Sequence, residues 1–499
     1  MARAVMARAA IAGAPLAGAL MVAAVLCPAP LGAQVAAGQQ AGETSQQNPP
    51  ASQPGTPPTG ATPQNHQTPL PSAPRPMPPA QLGPDATRLT QIGPVPAPPP
   101  DPRRSLPTRP GALSIEQVLT LARSRNPVLR AARLNLEGTR AQEIQAGVRA
   151  NPYFAAVGSD VTLLDGSSDG PYLYAGQVSR LFERGQKRRW RLDVARSTTA
   201  QTEAQLHDQE RGTEFAVKQA FTNMLIAKAA LTLANANLAD FRREVAINED
   251  RYKAGDIGKL DFERLDLQLS QFESDQANAQ ISLRQASDQL QTLIGVETPS
   301  EDFDILGTIV PPPLSIDLAG VDAKALVSRP DYQAALAAVA VADANVKLAY
   351  ANGTTDPTIE AEYDRSGNSN SSGFNVSIPL RLFDRNQGNK KTSEFVAQGS
   401  RFSVIAAKNQ VLSDVDQAWI GYTQSKVLAD RYTSHYLDEA GDVLQIAQFA
   451  YEHGGIALID YLDALRDSRS TTAAALSAYA NTWLAIHQLS YASATEMVP

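Results

Sequence analysis

A single cysteine, Cys27, occurs in the 499 residues. It sits in the apolar run "AAIAGAPLAGALMVAAVLC", behind Arg3 and Arg8 and ahead of "PLGAQ", the layout of a secretory signal peptide over 1–33 with cleavage after Ala33. A membrane anchor is the competing description because the run approaches a spanning length, but Gly13 and Pro15 weaken a helix there. Lipidation of Cys27 would call for a smaller neighbour than Leu26. Removal of 1–33 leaves no thiol, which excludes disulfides and cysteine chemistry.

Other absences narrow the function. The five histidines, His66, His207, His435, His453 and His487, show no paired-ligand spacing, so no metal site is expected. "GDIGK" lacks the spacing of a phosphate-binding loop and no G-x-S-x-G elbow occurs, so the chain is expected to be no enzyme and to need no cofactor. There is no excess of positive charge: the net charge is −7, which argues against nucleic acid as a partner. Aromatics are only 6%, and the body is dense in Ala, Gln, Leu, Asp and Arg, a mixture that favours helix.

Proline is unevenly spread. The segment 34–112 reads "QQAGETSQQNPPASQPGTPPTGATPQNH" and onward in that style, with 21 of the 35 prolines, and is expected to be a disordered Pro/Gln-rich tether. No proline then occurs between Pro171 and Pro299, or between Pro379 and Pro499. Each of these two stretches is interrupted in its middle by a glycine turn, "RYKAGDIGKLDF" and "AYEHGGIALIDY", so each predicts two long antiparallel helices joined at a tip. From 185 to 252 such a helix would be about 100 Å long. On the returning helix Leu265, Leu269, Phe272, Gln276, Ala279, Leu283, Ala286, Leu290 and Leu293 alternate at spacings of four and three, a coiled-coil seam.

The chain also repeats itself. "RLFERGQ" at Arg180 returns as "RLFDRNQ" at Arg381, and "NPVLRAARLNL" at Asn126 answers "RPDYQAALAAV" at Arg329. At the tips Tyr252, Gly255, Ile257, Asp261 and Phe262 match Tyr451, Gly454, Ile456, Asp460 and Tyr461 at a constant offset. The unit is helix, hairpin, long helix, tip, long helix, and it occurs twice. The expected first repeat is 113–299, with its hairpin at about 153–184 and helix pair at 185–294. A linker at 300–320 precedes the second, 321–499, with its hairpin at about 358–385 and helix pair at 386–498.

In the second hairpin Phe374, Val376, Ile378, Leu380 and Leu382 share one face and Asn375, Ser377 and Arg381 the other. Before them Ile359, Ala361 and Tyr363 oppose Glu360, Glu362 and Asp364. A half-buried soluble sheet would alternate in the same way. Strands of about 9–11 residues, however, suit an outer-membrane barrel. Four strands cannot close one, and open edges in lipid leave backbone groups unsatisfied, so several chains must contribute.

These features closely resemble the TolC-like outer-membrane channels of bacterial tripartite efflux and secretion systems. The resemblance runs from Leu113 to Met497 and rests on the duplication, the "RLFDRNQGNKK" hairpin exit and the tip "YEHGGIALIDYLDA". "SIPLRLFDRNQGN" after an acidic strand looks most like the CzcC-type heavy-metal branch. What the resemblance implies is a mainly α fold with a membrane β-barrel portion, in which a homotrimer forms a 12-strand β-barrel and a 12-helix α-barrel tunnel. It implies an outer-membrane location with a long periplasmic extension, contact with outer-membrane lipid, and two protein partners: a periplasmic adaptor and an inner-membrane RND-type pump. Heavy-metal cations are the expected substrates. A channel for drug or protein secretion and, in another class, a structural periplasmic coiled-coil or adaptor protein are the alternatives.

The same resemblance assigns the sites. Asp460 and Asp463, three apart on one helical face, match carboxylates that ring the periplasmic aperture. Tyr451 and Asp261 stand at the positions of a closing latch, while Ile456 replaces an arginine that often reinforces it, and Arg264 takes the place of Asp463 in the first repeat, where it could pair with the ring. Gly255, Gly258, Gly454 and Gly455 form the tips that would receive the adaptor. Solvated helix faces and ordinary tight turns are the bland descriptions of the same residues.

Overall fold

The computed structural model describes residues 101, 103–104, 106–159, 173–314 and 318–498. The expected signal peptide and most of the expected tether lie outside the described residues.

Each repeat opens with a short helix and a longer one. Ser114 caps α1 (Ile115–Arg125) through a capping box with Gln117. Asn126 caps α2 (Pro127–Gly147), accepting from the Val128 and Leu129 amides, with Pro127 set at the first helical position. Then come β1 (Tyr153–Ser159), β2 (Leu173–Leu181), α3 (Lys187–Ala254) and α4 (Lys259–Ile294). The second repeat follows with α5 (Leu318–Ser328), α6 (Pro330–Asn352), β3 (Thr358–Ser366), β4 (Ser369–Ser377) and α7 (Gln387–Arg431), then α8 (Leu437–Glu452) and α9 (Leu458–Ser493). α3 is one continuous helix of 68 residues. Its counterpart is interrupted between α7 and α8 by a π turn, Tyr432–Tyr436.

The four strands make one antiparallel sheet in the order β1-β2-β3-β4. The helices attached to them pack in the same order, α2 on α3, α3 on α6 and α6 on α7, so sheet and helices form one continuous wall. Among the described residues α6 alone is long and apolar enough to cross a membrane, and it stands in this wall between α3 and α7.

The register sorts the sheet into two faces. Phe154, Val178, Ala361 and Phe374 form one cross-strand row, and Ile359 lies between Arg180 and Val376 on the same face. On the other face Glu360 lies between Ser179 and Asn375, Glu362 between Gln177 and Gly373, and Asp364 between Ala175 and Ser371. The apolar residues of β3 are exposed while its acids are half-covered, the reverse of a soluble half-buried sheet.

Two expectations need correction. The apolar alternation in "GFNVSIPLRLF" continues to Leu382, but β4 ends at Ser377. Its last partner is Thr358, the first residue of β3, and Pro379 brings no amide to donate. The end of the expected tether is also tied down: the Arg109 amide donates to Asp304 at 2.7 Å, and Leu106 packs on the core. Leu113 and Ile305 form a parallel bridge beside it. Carboxylates across the chain hold these residues, and local composition does not reveal them.

Three apolar clusters run down the helices. Val217, Phe221, Leu290 and Tyr479 centre the largest, Val411, Val415, Ile486 and Leu489 another, and Phe241, Leu265, Phe272 and Tyr461 the one nearest the tips. Of the predicted seam, Leu265, Phe272 and Leu290 are buried and the rest half-buried.

Candidate functional site: the paired helix tips

Both tips close in the same way. At the first, Gly255 takes φ 84°, its N–H donates to the Tyr252 carbonyl at 3.0 Å, and the Asp256 N–H donates to Arg251 at 2.8 Å. At the second, Gly454 takes φ 71°, with Gly454 donating to Tyr451 and Gly455 to Ala450. These are left-handed helix caps, a conformation that favours glycine at Gly255 and Gly454. Gly258 is extended at φ −77° and faces open space, so it tolerates a side chain; at Gly455 a Cβ would come within 3.3 Å of the Ala450 carbonyl.

An aromatic pair spans each turn. Tyr252 stacks on Phe262 and Tyr451 on Tyr461, both with centroids 5.2 Å apart and planes within 5°. The repeat therefore extends to side-chain geometry, and each stack ties an outgoing helix to a returning one.

Behind the second stack lies a polar cluster that has no counterpart in the first. The Tyr451 hydroxyl donates to Oδ1 of Asn248 at 3.0 Å. Asn248 is fully buried and donates to the Glu244 carbonyl and carboxylate at 3.0 and 2.9 Å. Arg251 approaches the same Asn248 oxygen at 3.4 Å and lies over the Tyr451 ring. Burial pushes the Glu244 carboxyl above the usual carboxylate range, against the opposing pull of the Asn248 hydrogen bond. Burial likewise raises the Tyr451 and Tyr461 hydroxyls, so both stay neutral.

The expected Tyr451–Asp261 latch is thus replaced by Tyr451–Asn248. Stacking on Tyr461 turns the Tyr451 ring inward, where Asn248 offers a buried acceptor, while Asp261 remains at the surface with Arg264 3.6 Å away. Within the chain Arg264 does not reach the second-repeat acids. Asp463 pairs with Arg466 at 2.9 Å, and Asp460 accepts from the Ala457 amide at 3.3 Å, capping α9. Both carboxylates are exposed on the first turns of α9.

Sequence reasoning missed Glu244, Asn248 and Arg251, although a signal existed. At the tip offset they correspond to Val443, Ala447 and Ala450, so three polar residues on one helical face of the first repeat replace three apolar ones in the second. Such a difference between otherwise matched repeats marks a special partner.

The profile of the family described as "Outer membrane efflux protein" matches residues 118–296 and 323–493, one match per repeat and together most of the chain. The chain belongs to this family. Members are efflux channels, and membership places the sheet in the outer membrane and the helices in a periplasmic tunnel that ends at the tips. Among relatives, the chain is similar to the cobalt-zinc-cadmium resistance protein CzcC of Cupriavidus metallidurans, 26% identical over 363 residues, covering 71% of this chain and 84% of that one. It is also similar to the cation efflux system protein CusC of Escherichia coli, 27% identical over 273 residues, covering 51% of this chain and 58% of that one. A solved structure of CusC superposes with a TM-score of 0.65 at 21% identity over 76% of this chain and 91% of that one. The open-state channel MtrE of Neisseria gonorrhoeae superposes at 0.63 and 22%, over 77% and 89%. At these identities the superpositions speak for the fold.

Proposed function

We propose that the chain is the outer-membrane channel of a tripartite efflux system and that its substrates are heavy-metal cations. Three copies would close the twelve-strand barrel and the twelve-helix tunnel, an inner-membrane RND-type pump would supply the ion, and a periplasmic adaptor would grip the tips at Gly255, Gly258, Gly454 and Gly455. The observation that carries the cation reading is the polar face of the sheet. Glu360, Glu362 and Asp364 follow one another along β3, no cationic side chain stands opposite them in the register, and the opposite face carries the apolar row Phe154, Val178, Ala361 and Phe374, with Arg180 and Arg365 only toward its two ends. With the apolar face in lipid, the three carboxylates line the lumen, favouring cations and disfavouring anions. The names of the CzcC and CusC relatives point the same way. Asp460 and Asp463 would add carboxylates at the periplasmic mouth. A structural coiled-coil protein would have no use for a lipid-patterned sheet.

The test is growth of a strain lacking the gene on zinc, cobalt, cadmium and copper and on a drug panel. We expect a several-fold lower tolerance to one or more of the metals, restored by the gene and unaccompanied by drug sensitivity. Drug sensitivity with unchanged metal tolerance would transfer the chain to drug efflux.

A further inference from the structure

The two outgoing helices differ at one place. α3 runs unbroken past the residues that match 432–436 at the tip offset, whereas the second repeat holds a π turn there. Arg431 and Leu437, on either side of it, keep right-handed helical dihedrals, so the helix passes through with its register shifted rather than ending. Turns of this kind leave backbone groups poorly paired and recur at functional sites.

What meets that turn comes from the far end of the sequence. Arg103, ahead of α1, donates to the Thr433 carbonyl at 3.1 Å from one arm of its guanidinium and to Asp438, on the first turn of α8, at 2.6 Å from the other. Its Nε is held by Asp101 at 2.9 Å, which fixes the plane of the fork. One arginine thus spans the π turn, touching a carbonyl inside it and a carboxylate just beyond. Tyr479 of α9 also bonds the Thr433 hydroxyl at 2.9 Å. Beside the turn, α8 and α9 border a shallow, solvent-open groove lined by Tyr432, Tyr436, Val443, Asp467 and Thr471. α8 is 16 residues long, so the tip lies about 24 Å from the turn. At that lever length a small rotation at the turn moves Tyr451 and the second tip by several ångströms.

We infer that the π turn Tyr432–Tyr436 is the hinge on which α8 carries the second tip, and that Arg103 is a positioning residue that clamps this hinge. Arg103, oriented by Asp101, is then a strap: while its guanidinium bridges Thr433 and Asp438, α8 is held in the setting seen here, and when it lets go the tip is free to swing. Lysine at this position keeps the charge but lacks the rigid planar fork that lets one side chain reach Thr433, Asp438 and Asp101 together. The inference stands apart from the choice of substrate, since it concerns only which element moves.

Amide hydrogen exchange on the purified full-length protein in detergent tests it. Arg103→Ala and Asp438→Asn should each speed exchange about tenfold or more across 432–452 while leaving the matched part of α3, 233–254, unchanged, and Arg103→Lys should fall between wild type and Arg103→Ala. Arg104→Ala, at the exposed neighbouring arginine, should change nothing. In planar bilayers Arg103→Ala should shift the open and closed dwell times at constant open-state conductance. Exchange that stays at the wild-type rate in 432–452, or that rises equally in α3, would overturn the clamp; the latter pattern would make Arg103 a general stabiliser.

Discussion

Single residues decide how the tip is held. Tyr451→Phe removes the donor to Asn248 and leaves a buried amide oxygen with only the long Arg251 contact, at a cost of about 1–2 kcal/mol. Asp261→Asn should cost little, because its pairing with Arg264 is exposed. Local exchange at 244–252 and 451–461 checks both, and an equal effect from the two variants would restore Asp261 as the latch partner. Deeper in the helices His487 is buried beside Thr222, 3.0 Å away, and burial, helped by the nearby Lys218, lowers its pKa from 6.5 to about 4. A base with a depressed folded pKa favours folding above pH 6.5, and that contribution is lost as pH falls toward 4. It amounts to on the order of 3 kcal/mol. His487→Gln should therefore flatten the acid limb of the stability profile measured by thermal melts between pH 7 and 4. His487 did not stand out in the sequence, because a lone histidine on a long helix carries no spacing; Asn248 was marked only by its mismatch with Ala447 in the other repeat, and packing alone shows which partner it serves.

At the scale of elements, long helices are held by their seams. Phe272 stacks on Phe241 with centroids 4.5 Å apart, and Arg469 lies 4.0 Å over its ring. Phe272→Ala should destabilise the tip half by about 3–5 kcal/mol, against less than about 0.5 for the exposed Leu267→Ala, read as the difference in thermal or denaturant midpoint. The seam was legible because its period repeats within one helix, and the tips were legible because Gly255 and Gly454 answer a local demand for positive φ. The end of β4 was not. A strand stops where its partner stops, and the alternation through Ile378, Leu380 and Leu382 continues after β3 has no residue left to pair. The π turn was equally hidden, since "YTSHY" differs little in composition from the helix around it.

At the scale of the whole molecule, β1 and β4 stand at the edges of the sheet with pairing on one side only. An open sheet is not stable in lipid, so the barrel must close with other copies. In such an assembly Asp460→Ala together with Asp463→Ala should lower cation selectivity and weaken block by multivalent cations in single-channel recordings; unchanged values would leave these residues as helix cap and solvated face. The duplication, the long helices, the glycine turns and the two-faced strands were determined by the sequence alone, because each is written as a local pattern or as the recurrence of one further along the chain. Only the tertiary structure decided that Tyr451 bonds Asn248, 203 residues away, and that Arg103 spans the π turn, 335 residues from Asp438. Such contacts depend on which faces of distant helices meet and where a side chain turns once packed, and no local period records either.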